Sequence, residues 1–185
     1  MKTSVKAGLF FALIWMISIL VAFLAGYSVD YFLISELFSL LLLLGAIFTG
    51  LYLTKKENDY ERVPALEDFK IAMQSGLVYA ILATAFVYVY HNNIDPSVKK
   101  SFQNQRIEML HEQYPDEASF AELQTQTDTW DGKSFDDFIE NQEHQIESFI
   151  GDFFTSFFHL LIYFMFSLFY SFFVMIVLRK IVLRH

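Results

Sequence analysis

The chain has 185 residues, of which 55% are apolar and 18% charged, with a formal net charge of -8 and no cysteine. That length suits one domain. The missing cysteines exclude disulfides, thiolate metal sites and a cysteine nucleophile, and the negative balance argues against a nucleic-acid partner. A mean hydropathy of +0.37 is high for a soluble chain of this size, so the apolar residues have to be located before a core is assumed.

They fall in four long blocks separated by strongly polar stretches. A helix rises about 1.5 Å per residue, so crossing a hydrocarbon core of roughly 30 Å takes about 20 mainly apolar residues. Gly8 to Tyr27 passes that test without a charge. Lys2 and Lys6 ahead of it resemble the basic start of a signal peptide, but the apolar run is longer than a signal sequence needs and no clean Ala-x-Ala site follows, so a membrane span is predicted. Leu37 to Leu53 is the second span, extending back to Tyr31 if Glu36 sits at the interface near a helix N-terminus, where a carboxylate is favoured. Ile71 to Tyr90 is the third. Phe153 to Leu178 is the fourth and longest, with His159 its one ionisable candidate of note.

Lys and Arg near span ends resist translocation. Nine of the 13 (Lys2, Lys6, Lys55, Lys56, Arg62, Lys70, Arg179, Lys180 and Arg184) fall on the side holding both termini and the 54–70 loop. Lys99, Lys100, Arg106 and Lys133 fall on the other side, with sixteen of the 21 acids. Both termini are therefore expected in the cytoplasm and residues 91–152 outside.

This outer segment is too long for a bare connection. Asp95-Pro96 reads as an N-cap followed by a first-turn proline, and Val98, Phe102, Met109 and Leu110 recur at helical spacing, predicting a helix over Pro96 to Gln113. Pro115 opens a shorter helix through Leu123, and Asp131-Gly132 reads as a turn. Ser134, with Asp137 three residues on, opens a third helix. Its apolar face of Phe135, Phe138, Ile139, Ile146, Phe149 and Ile150 is expected to run nearly unbroken past Gly151 into the fourth span. The predicted fold is thus an all-α membrane protein of four transmembrane helices, with a small extracytoplasmic helical cap between spans three and four. Its parts are residues 1–90, 91–152 and 153–185, the last ending in a basic cytoplasmic tail.

Several patterns are candidates for chemistry. Ala72, Gly76, Ala80 and Thr84 recur at four-residue intervals, a small-residue seam that lets another helix approach, with packing inside the bundle the plainer reading and dimerisation the sharper. Ala22 with Gly26 and Ala46 with Gly50 repeat the spacing more weakly. Ser156, His159, Tyr163, Ser167 and Tyr170 form a polar face on span four, read either as interhelical hydrogen bonds or as a proton or solute path with His159 titrating. Glu108-x-x-His111 and the Glu140 and His144 pair are weak metal candidates, since acidic amphipathic helices produce such spacings by chance. No phosphate-binding glycine loop, zincin motif or nucleophile elbow occurs, so neither enzyme activity nor a cofactor is expected. The phenylalanines from Phe153 to Phe173 read first as lipid-facing filler and second as a hydrophobic-ligand groove.

Lys6-Ala7-Gly8-Leu9 at the first span, Phe69-Lys70-x-Ala72 entering the third, and Tyr90-His91-Asn92-Asn93-Ile94-Asp95-Pro96 closing it share one further property. In the order of these features, over nearly its whole length, the chain resembles a bacterial family catalogued as domain of unknown function 4199. The resemblance implies four spans, a variable helical segment after the third, and a bacterial inner membrane. It implies no activity and no site residues. The leading functional expectation is a non-enzymatic accessory or scaffold protein, in contact with the lipid bilayer and meeting a protein partner or a second copy through its membrane helices or its cap. A small transporter or channel using the polar face of span four is the first alternative, and an enzyme or metal-binding cap the second.

Overall fold

The computed structural model describes residues 1–126, 130 and 132–181, with residues 126, 152 and 153 described by their backbone alone. Among the described residues seven α-helices follow in chain order: α1 (Thr3–Leu24), α2 (Ser28–Glu57), α3 (Ala65–Val89), α4 (Ser97–Gln113), α5 (Glu117–Gln126), α6 (Phe135–Phe149) and α7 (Asp152–Ile181). A π-helical turn over Tyr90–Ile94 extends α3. Four helices, over Thr3–Leu24, Ser28–Glu57, Ala65–Ile94 and Phe154–Ile181, are long and apolar enough to cross a membrane. The expected fourth-span tail at Arg184 lies outside the described residues, as does Asp131 of the expected turn. Gly132, its second residue, takes the left-handed φ of +73° that a non-glycine residue rarely adopts.

The chain divides into two compact units, residues 1–90 with 156–185, and residues 91–155. In the first, α1, α2 and α3 pack backbone against backbone. Small side chains permit this: a Cβ added at Gly8 would stand 2.5 Å from the Ser75 carbonyl oxygen, and one at Gly50 would lie 1.9 Å from Ser75 Oγ. Ser75 Oγ in turn donates to the Ser4 carbonyl at 2.6 Å, joining α3 to α1 where hydrocarbon offers no competing partner. Around this core the large side chains point outward: Phe10, Ile17, Leu37, Leu41, Phe169 and Phe172 are all more than half exposed. Apolar residues around the whole circumference are what lipid, rather than water, requires of a helix.

One expectation about the second span is corrected here. Glu36 does not stand at a helix start. Val29, Tyr31, Phe32, Leu33 and Ile34 carry the helix back to Ser28, and Asp30 occupies the first turn instead. Glu36 therefore lies roughly 12 Å along the axis from the first helical residue.

In the second unit α4 packs against α6. Phe138, only 2% exposed, is the hub of an aromatic cluster, with ring centroids 5.0 Å from Tyr114, 4.9 Å from Phe120 and 5.0 Å from Trp130. Edge and offset contacts of this kind add to the burial of the rings themselves. The helix starts are capped as their sequences suggest. Ser134 Oγ accepts from the Asp137 amide at 3.1 Å while the Asp137 carboxylate accepts from the Ser134 amide and hydroxyl, a capping box. Those bonds from Ser134 hold the Asp137 carboxyl below the usual carboxylate range. Asp116 accepts from the Ser119 amide at 2.9 Å ahead of α5. At α4 the cap differs by one residue from expectation: the helix opens at Ser97, and Asp95 Oδ1 accepts from the Ser97 amide at 3.0 Å and from its hydroxyl.

The expected continuity from the third outer helix into the fourth span is not found. α6 ends at Phe149, Ile150 and Gly151 form a turn, and α7 begins at Asp152. The Gly151 amide donates back to the Ser148 carbonyl at 3.0 Å, a tight closure that ends the helix. A Cβ at Gly151 would lie 2.6 Å from that same carbonyl oxygen, so alanine meets the backbone there and is not the neutral change that a helical glycine would allow.

Candidate functional site in the membrane bundle

α1, α2, α3 and α7 each bring a polar or aromatic side chain to one level of the first unit. Glu36 of α2 lies with its Oε2 3.4 Å from His159 Nε2 and accepts the Tyr163 hydroxyl proton at 3.0 Å, both of them on α7. The imidazole contact is an ion-pair distance and is longer than a formed hydrogen bond. The second ring nitrogen, Nδ1, lies 3.1 Å from Thr84 Oγ1 of α3. A proton on Nε2 suits both neighbours, pointing at the carboxylate and leaving Nδ1 to accept from the threonine. The imidazole is stacked between Trp15 of α1, at 6.2 Å, and Tyr163, at 4.3 Å. Trp15 is held in turn by a 3.0 Å hydrogen bond from its Nε1 to the Ser35 carbonyl.

The hydroxyls extend the site. Tyr79 of α3 stacks on Tyr163 at 6.1 Å, and its oxygen lies 2.7 Å from Ser39 Oγ. Trp15, Ser39, Tyr79 and Tyr163 are buried, whereas the Glu36 side chain keeps 26% exposure and that of His159 10%. A carboxylate inside a hydrophobic span costs several kcal/mol unless it is paired, and such residues mark ion or solute sites more often than packing. Here the pairing comes from α7, whose imidazole is held in turn by Thr84 of α3 and Trp15 of α1.

Of the polar face expected on span four, the structure brings His159, Tyr163 and Ser167 to the interior. Ser156 and Tyr170 are half-buried, and Tyr170 packs against Phe166 and Phe169 of its own helix. Ser171, fully buried and four residues past Ser167, continues the face instead. The small-residue seam of α3 also turns inward. Ala72 and Ala80 are fully buried, a Cβ at Gly76 would stand 2.8 Å from Ser167 Oγ, and Thr84 contacts His159.

A second polar group, absent from the sequence reading, closes the other end of the bundle. Asp68 of α3, 1% exposed, takes Lys55 Nζ of α2 at 2.6 Å and Arg179 Nε of α7 at 2.8 Å. Lys55 also donates to the Glu61 carbonyl at 3.0 Å, and Arg179 to that of Val63. In the sequence these residues counted only as charges flanking spans.

In the second unit the weak metal candidates are not assembled. His111 Nε2 meets Glu143 Oε1 at 2.8 Å, while Glu108, Glu140 and His144 are exposed. Among the described residues no three His, Cys, Asp or Glu side chains converge on a metal position.

Four apolar helices around a shared polar interior define an all-α membrane protein. The chain belongs to a family described as protein of unknown function, DUF4199, whose sequence model matches residues 6–180. No curated protein and no solved structure matches it.

Proposed function

We propose that the protein is a small membrane transporter or channel, not an enzyme, and that its working centre is the cluster of Glu36, His159 and Tyr163. The observation that carries this reading is the convergence of a carboxylate, an imidazole and a phenol from α2 and α7 inside four apolar helices. A scaffold has no need of an ionisable pair at that depth, where each charge has to be offset by a partner. The polar face of span four alone favours hydrogen bonding between helices. Glu36 tips the balance, because it supplies the intramembrane carboxylate that a transport site needs. A non-enzymatic accessory role is supported by a different observation, the separate compactness of residues 91–155, a unit of a size to meet a partner.

In this reading the protein sits in a bacterial inner membrane with both termini cytoplasmic and residues 91–152 outside, supported by the nine-to-four division of Lys and Arg. The absence of cysteine makes that orientation directly measurable. A single cysteine at Ser119 is expected to react with an impermeant thiol reagent in intact cells, and one at Asn58 only after lysis. The reverse pattern would invert the topology.

For the activity, the purified protein in proteoliposomes is expected to dissipate an imposed gradient of a monovalent cation. Glu36→Gln should slow that flux at least about tenfold, the loss of one charge-assisted contact worth some 1.4 kcal/mol or more. Glu117→Gln, in exposed α5, should leave it unchanged. No flux of any such ion, or a flux indifferent to Glu36, would reject the transport reading in favour of the accessory one.

A further inference from the structure

We propose that the ion handled at this centre is the proton, held between Glu36 and His159, with Tyr163 positioning the carboxylate and Ser167 marking the next step along α7. The proposal rests on the transport reading and names its ion.

The ligand chemistry separates a proton from a metal cation. Hard cations collect about six or more oxygen ligands. Glu36 Oε2 is already committed to the Tyr163 hydroxyl proton at 3.0 Å and faces an imidazole nitrogen at 3.4 Å, so a metal ion at that oxygen would meet hydrogen-bond donors in place of lone pairs. A proton needs only two bases within reach of each other. The titratable groups that face the pair are Tyr163 on α7 and Tyr79 on α3, while α1 contributes Trp15, which carries no charge. Glu36 Oε2 and His159 Nε2, 3.4 Å apart, are close enough for one proton delivered from water to pass between them. It enters onto the carboxylate or the imidazole and leaves by the same atoms to the next acceptor. No other bond is made or broken.

The way onward is marked by polar atoms that the protein itself does not satisfy. Glu36 Oε1 and Ser167 Oγ are both shielded from solvent and find no hydrogen-bonding partner among the described residues. Buried polar atoms are nearly always paired, by protein or by water, and exceptions cluster where a group has work to do. Tyr163, Ser167 and Ser171 stand four residues apart on one face of α7, each no more than 1% exposed, so their Cα atoms rise by about 6 Å per step along the axis. A gap of that length is spanned by one bridging water per step, which completes a chain of exchangeable protons. Gly76, which carries no side chain, faces Ser167.

The test combines two measurements on the full-length protein. In detergent, infrared difference spectra taken across an acid titration report the carbonyl stretch of any carboxyl that gains a proton. A band present in the native protein and missing from Glu36→Gln is expected. In liposomes with an entrapped pH dye and a potassium diffusion potential, proton influx is expected, slowed at least tenfold in Glu36→Gln and several-fold in Ser167→Ala. Gel filtration of each variant confirms that it remains folded, and the native spectrum stands without any variant. Glu36-dependent sodium or potassium flux with no carboxyl band would overturn the proton assignment and leave the transport reading standing. A Glu36 band with no flux of any ion would keep the proton site and remove transport. Neither band nor flux would remove both.

Discussion

Asp68→Ala is expected to destabilise the membrane bundle by about 3–5 kcal/mol, the range found when one member of a buried ionic group is removed. Asp68 is 1% exposed and receives both Lys55, itself 6% exposed, and Arg179. With the carboxylate gone, the Lys55 ammonium is left beside the Glu61 carbonyl with no counter-charge, and nearby Arg179 repels it. The loss should appear as a large fall in the thermal unfolding midpoint in detergent. A triple replacement, Lys55→Met with Asp68→Leu and Arg179→Met, should recover much of it, because an apolar group of similar volume carries no desolvation cost. A midpoint unchanged in the single variant would show that water reaches this cluster freely and screens it.

Gly8→Ala should also be damaging. The new methyl would stand 2.5 Å from the Ser75 carbonyl oxygen and 3.0 Å from Val78 Cβ, and a backbone carbonyl retreats only if α3 retreats with it. Overpacking of this kind costs about 1–3 kcal/mol. Gly76→Ala makes a useful contrast. Its methyl would meet Ser167 Oγ at 2.8 Å and the Ile47 Cδ1 tip at 3.0 Å, which can rotate aside, and Ser167 Cβ at 2.9 Å, which moves only with α7, but no backbone carbonyl. Gly8→Ala is therefore expected to lower the midpoint more than Gly76→Ala, and the opposite order would mean that α1 and α3 adjust their spacing easily.

The same pair of glycines shows what the sequence discloses and what it withholds. Hydrophobic length alone locates four spans, because lipid imposes one simple requirement on each. Small residues at four-residue spacing point to Gly76 for the same local reason. The tighter approach at Gly8 needs knowledge of which helix crosses which, and nothing in its own neighbourhood, Lys6-Ala7-Gly8-Leu9, contains that. Glu36 was hidden differently. A lone charge next to a hydropathy window reads as the window's edge, whereas the helix continues back to Ser28 and carries Glu36 into the bundle. Its partners His159 and Tyr163 are more than a hundred residues away, so only the fold brings them together. On α7 the sequence placed Tyr170 with Ser167, although a helix facing a close neighbour advances by four residues to Ser171. At Gly151 the periodic apolar face gives no sign of the break, which is made by the backbone turn closing on the Ser148 carbonyl.

Trp15 gives the bundle one more property. The chain has two tryptophans, and this one lies stacked over the His159 ring at 22° between planes. A charged imidazole draws electron density from an excited indole and dims its emission, while a neutral one leaves it bright. The other fluorophore, Trp130, sits among the phenylalanines around Phe138, away from any imidazole in its ring contacts. The two indoles consequently stand in different surroundings, Trp15 against the His159 imidazole and Trp130 under the Lys133 ammonium at 4.8 Å, so their ultraviolet emission reports on separate parts of the chain.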